Sequence, residues 1–158
     1  MKTEFNVELA RSLDDIAIIR SLFVEYANTL GIDLSFQKFD SELDQLPGDY
    51  SPPGGELLLA KNKSGVGKGC VAVRKFNSQT CEMKRLYVSP DARGKGLGAA
   101  LIRKAINNAR TMGYKRIYLD TLPRMKNASA LYKEIGFEEI SPYYDTPIVG
   151  TVFMSREL

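Results

Sequence analysis

The sequence predicts an α/β (α+β) fold with about seven strands and about four helices. Three observations carry this expectation. Short apolar or alternating runs interchange with segments whose apolar residues recur every three or four positions. A glycine-rich turn, Arg93-Gly94-Lys95-Gly96-Leu97-Gly98, joins a strand ending at Val88 to a long amphipathic helix. Length and composition suit one globular domain over residues 1–158, since 44% hydrophobic and 26% charged residues can cover a core.

Taken in order, Phe5 to Leu9 alternates apolar and polar residues, as a first strand does. Ser12 is a natural N-cap, with Asp14 and Asp15 in the first turn behind it. Ile16, Ile19, Phe23, Tyr26 and Leu30 then recur at helical spacing until Gly31. A second, short helix is expected from Ser35, with Phe36, Phe39, Leu43 and Leu46 on one stripe; such stripes are more often core than binding surface. Pro47 to Gly55 breaks both helix and strand and reads as a surface connection rather than a lid.

Glu56–Lys61 and Gly69–Phe76 read as strands joined through a turn at 62–65, and Asn77-Ser78 turns the chain into the strand that ends at Val88. That hairpin sets Cys81 opposite Arg74 rather than Cys70. Leu97, Leu101, Ala105, Ala109 and Met112 give the long helix its apolar stripe, with Arg103, Asn107 and Arg110 on the wet side. A strand over 115–121, a helix from about Arg124 to Ile135, and strands at 137–140 and 150–156 complete the chain.

The glycine turn carries the chemistry. A helix N-terminus offers unpaired N–H groups and a partial positive charge, and glycines let a phosphate approach that backbone closely. A Walker loop is excluded, because Gly94-Lys95 is followed by Gly96 instead of Ser or Thr. A dinucleotide fingerprint (Gly94, Gly96 and Ala99, with Asp120 further on) fails on its strand. A doubly buried strand does not carry Glu82, Lys84 and Arg85, and Ser89 to Arg93 separate it from the first glycine.

Composition narrows the rest. A net charge of +3, with no basic cluster interleaved with aromatics, gives no nucleic-acid surface. No run reaches the length of a signal peptide core or a membrane span. Cys70 and Cys81 make no disulfide framework, which suits packed thiols in a reducing cytoplasm. With no histidine, neither a Ser-His-Asp triad nor a histidine metal site can form, so no metal is expected. Any proton acceptor must be a carboxylate, tyrosine, lysine or water.

Arg93-x-x-Gly96-x-Gly98 after Leu86-Tyr87-Val88, followed by Ala130-Leu131-Tyr132-Lys133-Glu134-Ile135-Gly136-Phe137, resembles the GNAT superfamily of acyl-CoA N-acyltransferases. The element order matches too. The resemblance implies a central mixed, mostly antiparallel sheet whose fourth and fifth strands splay apart. It implies acetyl transfer from acetyl-CoA to an amine, preferentially that of a small molecule, with a backbone N–H in the gap stabilising the oxyanion. Protein N-terminal or lysine acetylation, and CoA binding without turnover, are the alternatives.

By position, the pantetheine arm would pair with Leu86, Tyr87 and Val88, and Arg93, Gly94, Lys95, Gly96, Leu97, Gly98 and Ala99 would hold the pyrophosphate. Met125 stands where many relatives carry asparagine, while Asn127 is out of register; Met125 and Ala128 are assigned apolar contacts to the arm. Tyr132 occupies the general-acid position, protonating the departing thiolate. Glu82 or Asp120 would take the amine proton, Glu82 being preferred because it shares a strand with the acetyl-binding backbone, unless water suffices or each simply pairs with Lys84 or Lys115. Arg85, Tyr143, Tyr144 and Asp145 are candidates for the acceptor end. A homodimer is admitted as the assembly, although nothing in the sequence encodes oligomeric state.

Overall fold

The computed structural model describes residues 4–31, 33–35 and 38–158. Strands β1 (Phe5–Leu9), β2 (Glu56–Asn62), β3 (Gly67–Lys75), β4 (Thr80–Val88), β5 (Arg116–Thr121), β6 (Glu138–Ile140) and β7 (Val152–Glu157) form one sheet. Its order is β1-β2-β3-β4-β5-β7-β6. Every pairing among the described residues is antiparallel except β4 with β5. Helices α1 (Leu13–Leu30) and α2 (Phe39–Gln45) cover one face, and α3 (Leu97–Thr111) and α4 (Lys126–Glu134) cover the other.

β2 and β3 are buried on both faces, which explains their unbroken apolar runs, and β4 is buried as well although it carries Glu82, Lys84 and Arg85, the residues expected to keep one of its faces wet. Leu57 and Leu59 enter the cluster beneath α1, whereas Leu58 and Ala60 enter the one beneath α3. Val71 and Val73 join the α3 side and Cys70 and Ala72 the α1 side. A fully buried leucine such as Leu58 or Leu101 contributes about 1.5–3 kcal/mol by leaving water.

Local signals set the helix ends. Ser12 accepts a hydrogen bond from the Asp15 N–H at 3.0 Å, capping α1. The second helix starts later than its stripe suggested. Ser35 donates both its N–H (2.9 Å) and its hydroxyl (3.0 Å) to the Asp33 carboxylate, a local turn that competes with a helix. Lys38, at φ 57, is the residue that enters α2. Phe36, expected on the stripe, lies outside the described residues.

The connection over 47–55 contains a 3-10 turn, Gly48–Tyr50, and is pinned to the body. Tyr50 is buried edge-on against Phe23, and the Gly54 carbonyl accepts the Tyr114 hydroxyl at 2.6 Å. The β3–β4 hairpin corrects one register. Cys81 faces Lys75, and Glu82 faces Arg74, because Phe76 and Asn77 both donate to the Thr80 carbonyl and enclose a longer loop. Burial pushes the Cys81 thiol up to about 12, so it is an inert packing group.

Two irregularities position the site. β4 carries a bulge, with Arg85 and Leu86 together opposite Val71, and Arg85 adopts φ 61. The parallel ladder between β4 and β5 ends at Glu82 and Tyr118, and a cavity opens between the strands beyond that point.

Candidate active site

From Val88 the chain makes a 3-10 turn, Pro90–Ala92, and then enters the glycine turn. Gly94 and Gly96 have φ of 76° and 79°, a left-handed conformation that side chains disfavour. A Cβ on either would meet no atom within 4 Å, so the space in front of both is open to a ligand. Gly96 is also the N-cap of α3 and has no side chain to satisfy the helix start. Among the described residues, the backbone N–H groups from Gly94 to Ala99 have no hydrogen-bond acceptor. They form a ready anion site.

A groove of about 690 Å³ runs from this turn along β4 to the start of α4. It is lined by Leu86, Tyr87, Val88, Arg93, Gly94, Gly96, Leu97, Gly98 and Ala99, and on its far side by Met125 and Ala128. Arg93 donates through Nε to the Val88 carbonyl at 3.0 Å, and its guanidinium lies 6.0 Å from the centre of the Tyr87 ring. Lys95 is directed elsewhere. Its ammonium pairs with Glu4 at 3.0 Å, and it is absent from the groove lining. Arg124, Lys126 and Asn127 line the far side without having been anticipated there.

The cavity between β4 and β5 shares Tyr26, Leu30, Leu86 and Met125 with the groove, so the two adjoin. Its volume is about 50 Å³, on a measure where one water takes roughly 10–15 Å³. Tyr132 reaches it from α4. The ring is 6% exposed and packs edge-on against Phe137. Its hydroxyl has no hydrogen-bond partner among the described residues, and burial holds it above the ordinary tyrosine range. It is a neutral donor with its O–H unspent.

The two candidate carboxylates differ sharply. Asp120 lines the cavity, accepts the Tyr144 hydroxyl, and takes part in no ion pair among the described residues. Glu82 is buried, accepts Arg74 at 2.9 Å and the Tyr143 hydroxyl at 2.6 Å, and does not line the cavity. Tyr143 is itself fixed by stacking on Tyr118 at 4.6 Å and by an edge contact with Phe153. Burial, followed by the nearby carboxylates, raises both tyrosine hydroxyls, which keeps them donors to those oxygens.

Among the acceptor-end candidates, Arg85 and Tyr144 line the cavity. Tyr143 braces Glu82 instead, and Asp145 is exposed outside the lining. Arg85 is buried in a bidentate pair with Glu42 at 2.9 and 3.0 Å and lies 5.1 Å from the Phe39 ring centre. Glu42 was not singled out from sequence, because its partner is 43 positions away. Tyr26, a member of the α1 stripe, is a wall of the cavity rather than simple core. Lys84, the neighbour of Arg85, lines the cavity with its side chain 4% exposed.

This geometry has known counterparts. Residues 18–137 match the model of the acetyltransferase (GNAT) family. An uncharacterized N-acetyltransferase of Schizosaccharomyces pombe is 42% identical over 153 residues, spanning 96% of this chain and 92% of that one. An acetyltransferase from Streptococcus agalactiae superposes with a TM-score of 0.81 at 20% identity, covering 99% of this chain and all of its own. A GNAT acetyltransferase from Elizabethkingia anophelis, solved with acetyl-CoA bound, superposes with a TM-score of 0.66 at 19% identity over 99% of this chain and 100% of its own. With the splayed β4–β5 pair and the glycine turn at α3, the chain belongs to the GNAT family of acyl-CoA-dependent N-acyltransferases.

Proposed function

We propose that the chain moves an acetyl group from acetyl-CoA to the primary amine of a small-molecule acceptor, which attacks the thioester directly. The observation that carries this reading is that a groove suited to an anion adjoins a cavity holding an unbonded tyrosine hydroxyl and a carboxylate without a cation among the described residues. The residues present fit the co-substrate. The unbonded N–H groups from Gly94 to Ala99 suit a pyrophosphate, and the structural relative with acetyl-CoA bound supports that identity. When bound, acetyl-CoA supplies an acyl carbonyl activated by its thioester.

The protein's own groups then divide the work. The backbone of Leu86–Val88 and the apolar Met125 and Ala128 hold the arm along the groove. Among the described residues the β4–β5 ladder stops at Glu82, and the β4 edge beyond it offers backbone N–H groups to developing charge on the acyl oxygen. Asp120 takes the proton of the attacking amine, because it alone of the two candidates faces the cavity. Glu82, held by Arg74 and Tyr143, serves as a brace. Tyr132 donates its proton to the departing sulfur. A cavity this small favours a small amine over a side chain presented by a folded protein.

The reading is tested by thiol release from acetyl-CoA against a panel of amines, amino acids and peptides. Small amines should support turnover in proportion to acetylated product. Turnover confined to peptide or protein amines would refute the small-molecule assignment.

A further inference from the structure

Taking stock of the charges around the cavity singles out Lys84. Arg85 is satisfied by both oxygens of Glu42. Glu82 is satisfied by Arg74 and the Tyr143 hydroxyl. Lys84 is left with no hydrogen bond among the described residues. Its nearest carboxylate oxygen, on Glu82, is 3.9 Å away and belongs to the atom that already accepts Tyr143. A side chain 4% exposed, lining the cavity and carrying three donors, is thus largely withdrawn from water with no hydrogen-bond acceptor among the described residues. Isolated charge is costly to bury unless a partner completes it.

Lys84 keeps the regular alternation opposite Ala72, on the α1 face, and the bulge that follows it brings Arg85 round to the same side. In a regular strand, Lys84 and Arg85 would point to opposite faces. With Arg85 at φ 61 and doubled with Leu86 opposite Val71, both basic residues line the same cavity. Asp120 lines that cavity too, without a cation of its own, and its charge acts on Lys84. One small space therefore offers a spare cation and a spare anion.

We propose that the acceptor is an amino acid, its carboxylate bound by Lys84 and its amine received by Asp120. This rests on the amine-acetylation reading above and names the acceptor class within it. A plain alkylamine would leave Lys84 unmatched, and a polyamine would bring a second positive charge toward it. The burial that pushes the Lys84 ammonium down from its ordinary value is offset when a carboxylate arrives, as a nearby anion favours the charged form.

The test is thiol release from acetyl-CoA with matched pairs that differ only in the carboxylate: glycine with methylamine, β-alanine with ethylamine, and γ-aminobutyrate with propylamine. In at least one pair the carboxylated member should have the larger kcat/KM by about 30-fold or more, the range for completing a buried charge pair. The best pair reports the spacing between the two receptors. Lys84→Met keeps the stem and removes the charge, so that ratio should collapse toward unity, and Lys84→Arg should restore part of it. If Lys84→Met does not fold, the wild-type ratios and inhibition by free propionate and butyrate decide instead.

Amines turned over as well as their carboxylated partners in every pair would overturn the amino-acid assignment while leaving amine acetylation standing. An unchanged ratio in folded Lys84→Met would overturn it as well. Turnover of neither set would remove amine acetylation, and this assignment with it.

Discussion

At the α3 end of the groove the groups on offer are backbone N–H groups from one uninterrupted stretch, Gly94–Ala99. At the other end they are side chains drawn from α1, β4, β5, α4 and the chain after β6: Tyr26, Lys84, Asp120, Tyr132 and Tyr144. The first arrangement recognises a constant ligand and needs little beyond positive φ and absent side chains. The second can be altered one residue at a time without disturbing the first. A shared co-substrate and a private acceptor are the natural division for such a molecule.

If that division holds, changes at the two ends should fail in different ways. The largest effect is expected from Tyr132→Phe, which keeps the ring and its contact with Phe137 but removes the O–H. Turnover should fall by roughly 10²- to 10⁴-fold, while acetyl-CoA affinity, measured by titration calorimetry, should change little. Normal turnover would reduce the tyrosine to a packing residue. No imidazole exists in the chain to stand in for it.

Next in size is the contrast between the two carboxylates. Asp120→Asn should lower kcat/KM by roughly 10²-fold. Glu82→Gln should largely keep kcat/KM and lower the melting temperature instead, because Arg74 loses a buried partner. The reverse pattern would return the base to β4.

Gly96→Val tests the other end. A branched side chain at φ 79 costs about 1–2 kcal/mol, and its methyls occupy the open space before the turn. Acetyl-CoA should bind at least tenfold more weakly, with kcat at saturation largely kept. The smallest effect is expected far from both ends. Ser12→Ala removes the α1 cap and should cost about 1 kcal/mol of stability with neither affinity nor turnover altered.

Alkaline pH supplies a whole-molecule check. The buried Cys70 and Cys81 thiols and the Tyr26, Tyr50 and Tyr132 hydroxyls are all raised in the fold by burial. Above their unfolded values, about 8.5 for thiols and about 10 for tyrosines, the unfolded chain releases protons that the folded one still holds. Stability should therefore fall as pH rises through that window, visible as a declining denaturation midpoint.

The same contrast explains what the sequence disclosed. The turn was legible because its chemistry is local: glycine spacing, a preceding strand and a following helix are contiguous in the chain. The order of strands and helices was legible for the same reason. The acceptor end was only half legible. Asp120 and Glu82 could be nominated, yet what separates them is Arg74 and Tyr143, which reach Glu82 from β3 and from the loop after β6. The meeting of Lys84 and Arg85 on one face was hidden by the period-two rule, since only the bulge turns Arg85 to the side that Lys84 already faces. Glu42 was hidden behind a helix whose start depends on a turn at Asp33.

Whether an acyl group carried in the groove passes to an amine in the cavity can be read from a single experiment. Acetyl-CoA consumption and acetylated amine are quantified together for the wild-type protein, by thiol release and by mass spectrometry, with and without a small primary amine. Thiol release should be negligible without amine, and one acetylated amine should form for each thiol when it is present. Thiol release that ignores the amine, or acetyl-CoA that binds and is never consumed with any amine, would contradict that transfer.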